Sequence, residues 1–166
     1  MRSDVMLHPL DRTLLKELLH AAVEDADPLE VMPPVEGPGE WTPERRSAFV
    51  QFHESRSLAA DPKEITFAIV ASRRVVGAAR LCPVEKQAGM AEAGMWVGRS
   101  HRGVGVGGAV LKLLLDQARA EGFTSVYVST TPQNTAVQAL MAGIGVDLVR
   151  DGDVLTACVD LMADAQ

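Results

Sequence analysis

Cysteine is nearly missing from this chain: Cys82 and Cys158 are the only two in 166 residues, far apart and inside stretches that read as strands. That spacing excludes a cysteine metal centre and fits two buried thiols in a cytoplasmic protein. The histidines show no ligand spacing either, so no metal is expected. No apolar run approaches eighteen residues, which argues against a membrane span. The opening MRSDVMLHPLDRTLLKELL carries acids early and has no signal-peptide layout. Positive charge is in deficit, 16 Lys and Arg against 22 Asp and Glu; the net charge of -6 favours solubility and argues against a nucleic-acid partner. Aromatic residues are only 4%, with Tyr127 the single tyrosine.

What remains is the composition of one compact domain, 47% hydrophobic and 23% charged. Val5 to His8 reads as a short strand, and Arg12 to His20 as a helix with Leu14, Leu15, Leu18 and Leu19 on one stripe. From Ala21 to Glu40 there are six acids, no Lys or Arg, and prolines at 28, 33, 34 and 38. This stretch is expected to be a long loop with at most one helical turn. Thr42-Pro43-Glu44 then starts a helix that ends near Leu58 or Ala59. ITFAIVAS and RVVGAARLC read as two strands joined by a tight turn, with a third from Ala91 to Val97. A helix from Val104 to Arg119, the strand FTSVYVST, a helix closed by Gly145 and a final strand VLTACVDLM complete a mixed α/β chain.

The informative stretch is RGVGVGGAVLKLLL, Arg102 to Leu115, where four glycines crowd the six residues before the apolar run. A helix start presents free N–H groups and the positive end of its dipole, and glycine lets backbone close around a ligand. Strand, glycine turn and helix in that order make an anion site, most often for phosphate. A nucleotide P-loop needs Lys and Ser/Thr after its last glycine; here Gly108 is followed by Ala109-Val110. Gly103, Gly105 and Gly108 obey the dinucleotide pattern G-x-G-x-x-G formally. That pattern wants an acid at the end of the next strand, where this chain has Ser129-Thr130-Thr131. Antiparallel hairpins also suit a doubly wound parallel sheet badly, so an NAD-binding oxidoreductase is the weaker reading.

Val97 to Gly107, VGRSHRGVGVG, resembles the pyrophosphate-binding segment of the GCN5-related N-acetyltransferase (GNAT) superfamily. Arg102, Gly105 and Gly107 supply its Gln/Arg-x-x-Gly-x-Gly/Ala signature. The Val76-Gly77 step and the order Asn134, Leu140, Gly145-Val146 are similar to the family's hairpin and its asparagine-bearing helix. The resemblance implies a single GNAT-like α/β domain over 1–166, with a mostly antiparallel mixed sheet, flanked by helices and splayed between its fourth and fifth strands. Residues 1–61 would form a variable acceptor-shaping region and 62–161 the cofactor-binding core.

The implied reaction moves an acetyl group from acetyl-CoA to a primary amine by direct attack. Backbone groups of Gly103, Val104, Gly105, Val106, Gly107, Gly108 and Ala109 would hold the pyrophosphate, with added charge from Arg102 and, more weakly, Arg99. Met95 and Val97 would pair with the pantetheine arm. Asn134 would bind pantetheine or serve as a helix cap. Glu92 is the candidate general base, set in a strand among apolar neighbours, or else an ordinary acid near a strand end. Many family members place a tyrosine acid where Met141 falls here, and methionine has no proton to give. Solvent or one of Ser129, Thr130 and Thr131 would then serve the leaving thiolate, or the protein is a non-catalytic acyl-CoA sensor. The amine acceptor is a small molecule or a peptide, and a cationic one if the acidic stretch overlies the cleft. A homodimer is a further expectation from the family.

Overall fold

The protein was characterised as a computed structural model, which describes residues 3–162; both ends of the expected 1–166 domain lie outside the described residues. In chain order its elements are β1 (Val5–Pro9), α1 (Arg12–Asp25), α2 (Pro28–Val31), α3 (Pro43–Ser57), β2 (Ile65–Ala71), β3 (Arg74–Pro83) and β4 (Met90–Val97). A 3-10 turn at Arg99–His101 leads to α4 (Val106–Ala120), β5 (Ser125–Thr130), α5 (Thr135–Gly143), β6 (Val149–Asp151) and β7 (Val154–Asp160). The strands form one sheet in the order β1-β2-β3-β4-β5-β7-β6. β4 and β5 run parallel, and the other neighbours are antiparallel.

Local chemistry explains most boundaries. The Asp11 carboxylate accepts from the Leu14 amide at 2.7 Å and starts α1. The Thr42 hydroxyl does the same for Arg45 at 3.2 Å, with Pro43 at the first helical position of α3. Ser72 and Arg73 both take positive φ, 49° and 68°, the mirror-image turn whose twist suits a two-residue hairpin between β2 and β3.

Side chains alternate across the sheet and build two cores. Ala79, Leu81, Ala91, Val126, Val128 and Val159 meet the apolar stripe of α4 on one face. Ala78 and Trp96 meet α1, α2 and α3 on the other. The splay is explicit in the register. β4 pairs with β5 only at Met90↔Ser125, Ala91↔Val126 and Glu92↔Tyr127. Beyond that point β4 stays with β3 as far as Val97, and β5 stays with β7 as far as Thr130. Each half follows its own partner and its own twist, so the two strands part.

Three expectations need correction. The first helix runs on to Asp25, because Ala21 to Glu24 carry no breaker and Ala22 extends the buried stripe of Leu15 and Leu18. The stretch that follows keeps the one helical turn expected of it: Asp27 caps the short α2, with Pro28 in its first turn. The helix after the glycines begins at Val106, not Val104, because Gly105 caps it at φ +89°. Finally, the thiols are not both buried: Cys82 is half-buried, and Cys158 is exposed because Ala157 and Val159 take the core side of β7. β6, three residues long, escaped the sequence reading altogether.

β3 and β4 approach closely at Gly77, since a Cβ there would overlap the Trp96 carbonyl oxygen. Gly77→Ala is expected to destabilise the fold by about 1–3 kcal/mol, the usual range for overpacking. Urea unfolding of the variant checks this, and an unchanged midpoint would contradict the close approach.

Candidate functional site

The gap between β4 and β5 is bordered by backbone with polar groups to offer. The Gly98 amide donates to the Val76 carbonyl at 2.8 Å, and Gly77 pairs with Val97 in the register. Antiparallel alternation then turns the N–H and C=O of Met95 and Val97 away from β3 and into the gap. A cavity of about 150 Å³ fills it, lined by residues that include Met95, Val128, Ser129, Thr130, Asn134 and Met141. The Asn134 side-chain oxygen accepts from the Val137 amide at 3.2 Å, so the residue caps α5 and borders the gap at once. Met141 is buried there. Tyr127 does not line the gap; it is the half-buried register partner of Glu92 at the last paired position.

The amino end of α4 opens beside this gap. The Ala109 amide donates to the Gly105 carbonyl at 3.3 Å, the first helical bond. This leaves the amides of Val106, Gly107 and Gly108 ahead of the helical ladder. Val106 is buried and anchors the turn, whereas Val104 is exposed. Packing does not demand glycine at 107 or 108. A Cβ at either would meet only Leu140 methyl groups, at 3.6 and 3.5 Å, an ordinary contact.

Arg102 lies back across β4. Its Nε donates to the Val97 carbonyl at 2.8 Å, and its Nη2 donates to Glu30 at 2.9 Å. Two further acids of the same stretch hold the same loop. The Asp25 carboxylate accepts from the Ser100 amide at 3.1 Å and its hydroxyl at 2.6 Å, while Asp27 stands 3.9 Å from Arg99. Burial opposes ionisation of Asp25, but the Ser100 hydrogen bonds, with His101 and Arg102 nearby, outweigh it and hold the carboxyl below its usual range. The acidic stretch is therefore tied in large part to the loop before α4, and is not simply a free field over a cleft.

On the opposite face of β4 lies a larger cavity of about 370 Å³. Glu30 of α2, Phe52 and His53 of α3, and Glu64, Arg80 and Trp96 line it. Gly94 and Met95 line both cavities, so the two meet across β4 at those residues. A chain of charges runs along this side: Arg56 pairs with the buried Glu64, Arg80 stands 3.8 Å from Glu64, and Arg80 donates to Glu92 at 3.3 Å. Glu92 is therefore not set among apolar groups as expected; it is half-exposed against a guanidinium, at the position where the strands part. Trp41 anchors its loop, donating to the Ala26 carbonyl at 2.9 Å and meeting Phe49 edge-on.

Of Glu30, His53, Glu64 and Arg80, the sequence offers His53 no partner and singles out none of the other three. An arginine inside the apolar run RVVGAARLC was the one local signal. The four are far apart in the chain, and only the fold brings them to one cavity.

His53 is buried between the rings of Phe49 and Phe52, at 4.7 and 5.2 Å between centroids. Burial lowers its pKa to about 4, against the opposing charge of Glu64. A histidine harder to protonate when folded contributes fully above about pH 6.5, and that contribution falls as pH drops toward 4. From this group alone the native state is expected to lose about 2 kcal/mol between pH 7 and pH 5. Urea unfolding at both pH values, with His53→Phe alongside, measures it; equal losses in the two proteins would contradict the assignment.

Comparisons with known proteins agree with this architecture. Residues 27–145 match the model of the acetyltransferase (GNAT) family. The search of curated protein sequences gives no match. Mycobacterium smegmatis RimJ, solved in complex with CoA-disulfide, superposes with a TM-score of 0.76 at 22% identity, over 98% of this chain and 84% of that one. Spermidine N-acetyltransferase from Vibrio cholerae, solved as a dodecamer, gives 0.73 at 15%, over 99% and 98%. A GCN5-related N-acetyltransferase from Kribbella flavida gives 0.68 at 18%, over 95% and 98%. At these identities the structures speak for the fold, and the family model covers most of the chain: the protein belongs to the acetyltransferase (GNAT) family.

Proposed function

We propose that the protein transfers an acetyl group from acetyl-CoA to a primary amine. One observation carries the proposal: a gap edged by outward-facing backbone and a helix start with three uncommitted amides lies back to back with a second, charged cavity, the two meeting at Gly94 and Met95. A thioester donor suits the first and an amine the second.

The fit to acetyl-CoA rests on backbone. The amides of Val106, Gly107 and Gly108 would hold the pyrophosphate, helped by the dipole of α4 and by the room that Gly103 and Gly105 leave at positive φ. Ala109 contributes little, its amide being taken up inside the helix. Strand-like hydrogen bonds from Met95 and Val97 would align the pantetheine arm, bordered by Asn134, and the Val97 amide would support the acyl oxygen. When bound, acetyl-CoA supplies an activated acyl group. Glu92 would take the proton that an ammonium must lose before it attacks, directly or through water. The hydroxyls of Ser129 and Thr130 border the gap where Met141 offers no acid.

Residues 1–61 then shape one wall of the acceptor side through Glu30, Phe52 and His53, while 62–161 form the cofactor side and the facing wall with Glu64, Arg80 and Trp96. The Vibrio cholerae enzyme's name and its dodecameric assembly support a cationic amine and self-association as parts of this reading. Free thiols at Cys82 and Cys158 fit a reducing cytoplasm. A non-catalytic acyl-CoA sensor is the alternative that Met141 favours. Binding of acetyl-CoA without thiol release across a panel of amines would establish it.

Calorimetric titration with acetyl-CoA, CoA and NAD tests the reading, with micromolar binding of the CoA species and none of NAD expected. Two substitutions at Gly107 separate binding from stability. Alanine is favoured over glycine inside a helix by about 1 kcal/mol, and the signature admits it here, so Gly107→Ala should raise the melting temperature and keep acetyl-CoA affinity. The longer side chain of Gly107→Leu tilts toward the helix start, where the anion would sit, so its acetyl-CoA affinity should fall about tenfold or more. Unchanged affinity in Gly107→Leu would remove the pyrophosphate from this helix start. Glu92→Gln should lower kcat by about 10²–10⁴ with little change in acetyl-CoA affinity, and an undiminished rate of thiol release would rule it out as the base.

A further inference from the structure

The Arg102 side chain hydrogen-bonds to both halves of the site. Its Nε occupies the Val97 carbonyl, which faces the gap between β4 and β5. Its Nη2 holds Glu30, which lines the cavity on the other face. Both ends of the pair are about half-exposed, 47% for Arg102 and 46% for Glu30, so neither is locked by burial. The surrounding loop, by contrast, is fixed independently by Asp25 on Ser100. The Arg102–Glu30 pair can therefore exchange without dismantling the turn that leads into α4.

Resting on the reading above, we infer that Glu30 is a specificity-determining residue for a second positive charge on the amine, and that acetyl-CoA binding uncovers it. Phosphate oxygens at the start of α4 and pantetheine at Val97 compete for the two contacts that Arg102 now makes. A guanidinium drawn toward phosphate leaves Val97 to the pantetheine arm and Glu30 without its counter-charge. The other charges near this cavity stay balanced among themselves, Arg80 lying between Glu64 and Glu92 and Arg56 on Glu64. Glu30 is then the unbalanced carboxylate at the acceptor cavity. It selects an amine that carries a cationic group besides the nitrogen to be acetylated, such as a short diamine. Coupling runs in both directions, because a ligand that takes Glu30 also releases Arg102 for phosphate.

Glu30→Gln gives this inference a signature with opposite signs. Calorimetry with acetyl-CoA, and initial rates with 1,3-diaminopropane, 1,4-diaminobutane, 1,5-diaminopentane and butylamine, are the measurements. In the unaltered protein the diamines should bind about tenfold or more tightly with CoA present than without it, a coupling of ordinary size for linked sites. Glu30→Gln should bind acetyl-CoA several-fold more tightly, raise KM for the diamines about tenfold, leave KM for butylamine unchanged and abolish the coupling. A variant that binds acetyl-CoA more weakly would show that Glu30 merely braces the loop, and that overturns the inference. So would equal effects on diamines and butylamine, or diamines that fail to bind at all. Absence of acetyl-CoA binding by the unaltered protein would instead remove the transferase reading on which the inference stands. Circular dichroism and melting of Glu30→Gln, expected to match the parent because Glu30 is exposed, keep a folding defect from being mistaken for either result.

Discussion

Hydrogen bonding between β4 and β5 stops at Glu92 and Tyr127, and the rest of the site depends on that stop. Had pairing continued, the polar groups of Met95 and Val97 would be satisfied by β5, and no ligand could lie along the strand. Because each strand keeps its outer neighbour, the sheet stays whole while its middle opens. The opened edge offers donors and acceptors in register with an extended chain, and α4 adds three amides at one end of it. Buried polar groups are costly without partners, so such an edge is stable only at a surface or against a ligand.

Gly94 and Met95 tie that edge to the second cavity. Alternation along β4 points Glu92, Gly94 and Trp96 to the α1–α3 side while Met95 and Val97 face α4 and α5. One strand thus borders both cavities, and Gly94 carries no side chain where they meet. The charges on the α1–α3 side are organised as a chain, from Arg56 through Glu64 and Arg80 to Glu92. Such a chain fixes the position of Glu92 while leaving it open to solvent.

What could be read in the sequence was local. Strand alternation, the Thr42-Pro43 helix start and the tight turn between β2 and β3 each encode their structure within a few residues and appear where expected, and the glycines before α4 mark its start to within two residues. Asn134 as a cap was one of two readings and is seen as a cap. The charged cavity was opaque because its residues meet only through tertiary packing. Glu30, His53, Glu64 and Arg80 share no spacing. The acids of the proline-rich stretch looked like a solvated or substrate-facing patch. Their partners, Arg99, Ser100 and Arg102, lie more than seventy residues on in the chain, beyond any local pattern.

The central claim is that one ligand spans the open edge of β4 and the start of α4. Hydrogen exchange of the backbone amides, with and without saturating acetyl-CoA, tests it residue by residue. Slower exchange is expected at Met95, Val97, Val106, Gly107 and Gly108, with β6 and the end of α5 unchanged. Protection confined to other surfaces, or none at all, would contradict the claim.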